Sequence, residues 1–120
     1  MGKNVVVERS KDFALRIIKM CDYLMKERKE YIMSNQILRS GTSIGANIAE
    51  SQNAQSNADF ISKLSIALKE ADETSYWLEL LHRSERIDDD AFKSINSDCI
   101  ALQKMLIAII KKKKESLGLI

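Results

Sequence analysis

The sequence predicts an all-α protein, an antiparallel up-down four-helix bundle that oligomerises, and three observations lead there. Proline is absent and glycine occurs only four times in 120 residues. A β-rich fold of this size would need many more of these turn-forming residues. Four segments place apolar residues at alternating steps of three and four, the spacing of one helix face. The links between them are short, and a short link makes consecutive helices antiparallel neighbours. The length suits a single domain, residues 1–120, with one core.

The first helix is expected from about Glu8 to Lys29. Phe13, Ile17, Met20 and Leu24 form its stripe, widened by Ala14, Ile18, Cys21 and Met25. After a break at Glu30 to Ser34, the second helix runs from Ser34, a candidate N-cap, to Ser51. Its stripe is Ile37, Gly41, Ile44 and Ile48. The polar stretch Gln52 to Asn57 has loop composition, and Ser56 or Asn57 can cap the third helix. There Phe60, Leu64, Ala67, Ala71, Thr74, Leu78 and Leu81 trace a bundle seam to about Arg86. Asp88 to Asp90 supply carboxylates for the positive end of the fourth helix. Phe92, Ile95, Cys99, Leu102, Leu106 and Ile109 repeat the same rhythm, and Lys111 to Lys114 make a basic last turn.

Composition narrows the function classes. Hydrophobic residues are 45% and charged residues 30%, a balance that fits a globular chain and not a disordered one. With 19 basic and 17 acidic residues the net charge is +2. Such a balance permits nucleic-acid binding only where basic residues cluster. Met1 to Lys11 lacks the apolar run of a signal peptide. Met1-Gly2 could open an acylation motif, but Val6 stands where that motif wants Ser or Thr. No stretch approaches the roughly 18 apolar residues of a membrane span, so no membrane partner is expected. The expected compartment is the cytoplasm, with Cys21 and Cys99 as reduced core thiols.

More apolar surface is present than one monomer core needs. Met105 to Ile110 is apolar all the way round its helix, and Ile66, Tyr76, Trp77 and Leu80 lie off the third helix's seam. A broad core with scattered surface residues is one explanation. Self-association is the preferred one, because two helices carry the excess. Trp77, Leu80, Ile107 and Ile110 are the candidate interface residues.

In the second helix Gly41, Gly45 and Ala49 recur every four residues. Each glycine costs a helix about 1 kcal/mol relative to alanine. Keeping two of them argues for close approach to a neighbour, either the third helix or another subunit. The run Gln36 to Glu50, and above all Ser43-Ile44-Gly45-Ala46-Asn47-Ile48-Ala49-Glu50, resembles the signature of the 23S rRNA-intervening sequence proteins of bacteria. Phe60 to Ala71, with Glu73-Thr74 and Tyr76-Trp77-Leu78, is similar to that family's third helix. Ser51 departs from the pattern, since glycine often follows the glutamate. The resemblance spans nearly the whole chain. It implies an up-down four-helix bundle, a homo-oligomer in the form of a pentameric ring, and no established enzyme activity. A related branch consists of accessory proteins of diversity-generating retroelements, basic pentamers that engage a reverse transcriptase and nucleic acid. The partners implied are therefore the chain itself and RNA, DNA or a nucleic-acid enzyme.

Two motifs look chemical. Gly41-Thr42-Ser43-Ile44-Gly45 matches the nucleophile elbow, but that motif needs a strand and a sharp turn before its serine. Glu79-Leu80-Leu81-His82 matches half of a di-iron site, which needs two histidines. His82 is the only one. No catalytic residue, metal or cofactor is expected. Arg39, Ser43, Asn47 and Glu50 share one face of the second helix by spacing, and Glu70 and Glu73 flank the third helix's seam. They form either an inter-helix polar cluster, with Arg39 opposite a carboxylate, or separate solvated charges. Lys111, Lys112, Lys113 and Lys114 are either a solvated helix end or phosphate contacts that an oligomer would multiply. Lys26, Arg28 and Lys29 are expected to add to the same patch.

Overall fold

Val6 is only 2% exposed, and this buried side chain explains where the first helix begins. It extends the stripe upstream through Ser10 to Phe13 and Ile17, so the helix starts well before Glu8. The computed structural model describes residues 2–120, with side chains from Val5 onward. It contains α1 (Gly2–Glu27), α2 (Ile32–Ser51), α3 (Asn57–Arg83) and α4 (Asp89–Ser116). No strand occurs among these residues. Met1, where the acylation motif would open, lies outside them. No helix among the described residues is long and apolar enough to cross a membrane.

Helix ends follow from local chemistry. Lys29 takes a left-handed φ of 55°, which stops α1. Glu30 then supplies the start of α2: its carboxylate accepts from Met33 N at 3.3 Å and Ser34 N at 2.9 Å. Ser34 is thus not the cap expected from sequence. It is buried one turn inside, its hydroxyl donating to Glu30 O at 2.7 Å. Ser56 caps α3, its Oγ accepting from Asp59 N at 3.0 Å. α3 ends at Arg83, short of Arg86. Glu85 turns left-handed with φ 62°, and the turn tucks Ile87 into the core. Asp88 is thereby placed to cap α4 through Ala91 N at 2.8 Å.

The four stripes meet in one core. Phe13, Ile17, Leu24, Ile37, Ile44, Ile48, Leu64, Leu78, Leu81, Leu102 and Leu106 are essentially fully buried. Consecutive helices pack against each other, α4 returns to α1, and that last seam is the sparsest. Along every seam the residue numbers run in opposite directions. Gly45 meets Ser10 and Gly41 meets Ile17. Lys63 pairs with Glu50, and Thr74 with Ser40. Gln103 bonds Asp72, and His82 meets Asp89. Arg9 reaches Met105, and Arg28 reaches Arg86. The body measures 49 × 24 × 22 Å.

Both cysteines are free and buried. Cys21 donates to Ser34 O at 3.4 Å and Cys99 to Ala71 O at 3.5 Å. Burial pushes the Cys21 thiol up to about 11 and the Cys99 thiol up to about 12.

In the protomer, Met105 to Ile110 is not buried all round. Leu106 is in the core, and Ile110, at 9% exposure, takes the next core position. Ile110 therefore cannot offer a free surface as an interface residue. Ile109, expected in the core, is only half-buried. Ile107 lies outward at 54% exposure.

Candidate functional site

The small residues of α2 face α1. A Cβ on Gly41 would sit 2.9 Å from Ile17 Cγ1, and one on Gly45 would sit 3.1 Å from Ser10 Oγ. The close approach thus serves the seam with the preceding helix. Ala49, third in the register, is exposed. The reason is helical geometry: steps of four overshoot a 3.6-residue turn by about 40° each, so Ala49 has rotated off the seam. Gly41-Thr42-Ser43-Ile44-Gly45 lies inside continuous helix, without the strand and turn that a nucleophile elbow needs.

The opposite side of α2 carries charge to α3. Arg39 Nη1 lies 3.2 Å from Glu70 Oε1, and Arg39 Nη2 donates to Glu73. Trp77 Nε1 donates to the same Glu73 carboxylate at 3.0 Å. These donors, the Arg39 guanidinium first, hold the Glu73 carboxyl below its ordinary range. Bonds to Glu73 and Glu70 raise Arg39 in turn. Beneath them Thr74 Oγ1 donates to Ser40 Oγ at 2.9 Å, in full burial. The other residues on this face are not drawn into that network. Glu50 pairs with Lys63 at 3.2 Å. Asn47 donates back to Ser43 O at 2.9 Å within its own helix. The spacing rule brought Arg39 to Glu70 and Glu73 but could not show Ser40, Thr74 or Trp77 as partners, because their roles depend on inter-helix register. Trp77 and Leu80, the candidate interface residues on α3, are both half-buried in the protomer. The network is an ionic clamp between two helices, with the Arg39 side chain half exposed.

His82 is fixed at the α3–α4 turn. Its Nε2 lies 2.7 Å from Asp89 Oδ1, and its ring stacks on Phe92 at 4.1 Å between centroids. Among the described residues no three His, Cys, Asp or Glu side chains gather in a way that could hold a metal.

The lysine run lies on intact helix, since α4 continues through Ser116. Successive residues turn about 100°, so the four lysines spread around the helix end rather than along one face. Lys111 and Lys112 are exposed, and Lys113 and Lys114 are half-buried. No ion pair among the described residues uses any of them. Lys113 Nζ stands 5.4 Å from the centroid of the Phe60 ring, a cation–π contact that sequence reading missed. Lys26, Arg28 and Lys29 do not join this patch. They sit at the far end of the bundle, where Arg28 donates to Glu85 O and Arg86 O at 3.1 Å.

Comparison with known proteins agrees with this arrangement of helices. A crystal structure from Bacteroides thetaiotaomicron VPI-5482, described as a protein with unknown function from the S23 ribosomal protein family, is 58% identical to this chain. The match covers 92% of this chain and 99% of that one, with a TM-score of 0.91. No curated protein matches the chain. The family model for the 23S rRNA-intervening sequence protein matches residues 2–108. That span takes in the glycine seam, the Arg39 clamp and most of α4, and the chain belongs to the 23S rRNA-intervening sequence protein family.

Proposed function

We propose that this protein is a non-catalytic, cytoplasmic adaptor: an antiparallel up-down bundle that assembles into a homo-oligomer, with a pentamer as the expected ring. In this reading it holds nucleic acid through phosphate contacts or docks an enzyme that acts on nucleic acid, a reverse transcriptase among the candidates. The observation that carries the reading is the run Lys111 to Lys114. It is held on ordered helix, free of ion pairs among the described residues, at one end of the bundle. Repeated around a ring, such a run would attract phosphate strongly, and bound counterions would be released on contact. Opposed termini along every seam support the up-down arrangement. Ile66, Tyr76, Ile100 and Ile107 are between 39% and 55% exposed, which supports self-association.

The test is a salt titration of binding to RNA and DNA, with the four lysines changed together to glutamine. We expect affinity to fall steeply with salt, and the glutamine variant to bind more weakly for every sequence and to show a flatter slope. Helix content and assembly should persist, because each charge in a last turn is worth only about 0.3–1 kcal/mol to the helix. Equal binding by parent and variant would leave the run as a solvated helix end.

A second reading, a purely structural interaction oligomer without a nucleic-acid partner, draws on the same exposed apolar side chains. It is favoured if the parent binds nothing even near about 50 mM salt, where phosphate contacts are strong.

A further inference from the structure

A cavity of about 840 Å³ opens at the end of the bundle that brings together the α2–α3 loop, the start of α1 and the end of α4. Its size lies within the range of small-ligand sites, which is about 300–1,000 Å³. Its lining divides by chemistry. Phe60 and Ile109, both half-buried, supply apolar surface. Gln55 and Asn57 bring exposed amides, and Lys112 and Lys113 bring ammonium groups. No carboxylate lines it among the described residues. Asp59, at the start of α3, accepts from Gln55 N at 3.2 Å and lines the adjoining groove with Glu50 and Lys63.

We propose that this cavity takes one unstacked nucleotide of a single-stranded nucleic acid. Sequence-tolerant recognition of single strands combines cationic contacts to phosphate with aromatic surface for a base. Hydrogen bonds to base edges add selectivity when a base is splayed out. All three elements meet here within one opening. Lys112 and Lys113 receive the phosphate, the Phe60 and Ile109 surface receives the base, and the Gln55 and Asn57 amides offer both donors and acceptors to its edge. The Lys113 ammonium stands over the Phe60 ring, 5.4 Å from its centroid, so a base that takes that face displaces the ammonium toward the phosphate. A base paired and stacked inside a duplex does not present its face and edge in this way. The inference rests on the proposed nucleic-acid reading and sharpens it: the lysines alone would attract any phosphate backbone, whereas the cavity selects single strands.

The experiment is fluorescence anisotropy with the full chain and labelled single-stranded RNA and DNA of one sequence, against the duplex of equal length at matched salt. Phe60→Leu keeps a branched apolar side chain, though a smaller one, and removes the aromatic ring. Gln55→Ala changes an exposed loop amide, and it keeps the test decisive if the Phe60 variant loses helix content. We expect single strands to bind tighter than duplex. Phe60→Leu should lose about tenfold for single strands, the scale of one base–aromatic contact, and little for duplex. Gln55→Ala should lose a few-fold, again for single strands only. Single strands and duplex bound equally, with neither variant altering either, would overturn the cavity and leave the phosphate reading standing. No binding of any probe near about 50 mM salt would overturn both.

Discussion

The two seams of α1 are built on different physics. Toward α2 the backbones nearly touch: Gly41 leaves no room for a Cβ against Ile17, and Gly45 presses on Ser10. Toward α4 the helices stand apart and are bridged by long side chains. Arg16 reaches Asp98 at 2.6 Å and Ser94 Oγ at 2.8 Å, while Arg9 reaches Met105 Sδ at 3.9 Å. Open clefts lie along that second seam, one beside Met20, Tyr23 and Ile95 and one beside Phe13 and Leu102. A close-packed seam transmits any change in volume, whereas a bridged seam tolerates it. The bundle thus has one sparse seam, α1–α4, and the helix that closes it, α4, carries both the lysine run and the outward Ile107.

The largest effect should come from filling the tight seam. Gly41→Leu should lower stability by about 1–3 kcal/mol or more through overpacking. That loss opposes the roughly 1 kcal/mol a helix gains by losing a glycine. Gly45→Leu should do the same less severely, since its neighbour is a serine hydroxyl. Thermal melts decide it, and a higher melting temperature in the Gly41 variant would refute the close approach.

Thiol labelling checks the two seams that adjoin the sparse one. Cys21 faces the α1–α2 seam and Cys99 the α3–α4 seam. Buried thiols with raised pKa values are inert until the structure opens. In mild denaturant we expect Cys21 and Cys99 to be alkylated at similar rates, because both of these seams are closely packed and neither thiol faces the sparse α1–α4 seam. Early labelling of one of them would place a second weak seam beside it.

Cutting the bridges of the loose seam should cost least. Arg16→Ala removes an ion pair whose side chains are 41% and 49% exposed, and exposed pairs are worth about 0–1 kcal/mol. A double-mutant cycle with Asp98→Ala should give a coupling of that order. A coupling as large as the Gly41→Leu effect would erase the contrast between the seams.

Much of this was legible in the sequence. The stripes of α2 and α3 name their core residues directly: Ile37, Ile44 and Ile48, then Leu64, Ala67, Ala71, Thr74, Leu78 and Leu81, are all buried. The start of α1 was missed because Val6 stands seven residues before Phe13, with polar Ser10 between them. Ser34 looked like a cap by residue type, yet the carboxylate of Glu30 does that work. Lys26, Arg28 and Lys29 are basic like the lysine run but lie at the other end of the bundle. In an up-down order the end of the first helix and the end of the fourth must lie at opposite ends. Which aromatic would lie beneath Lys113, and which hydroxyl would meet Thr74, depended on register between helices, and periodicity within one helix carries no such information.

The proposed assembly would multiply the lysine run and cover the outward Ile107. Light scattering at micromolar concentration tests it directly, on the parent and on Ile107→Glu. We expect the parent to show a mass above that of a dimer of the 13.6 kDa chain, and the Ile107 variant to dissociate with its helix content intact. A parent that scatters as a monomer would contradict the assembly.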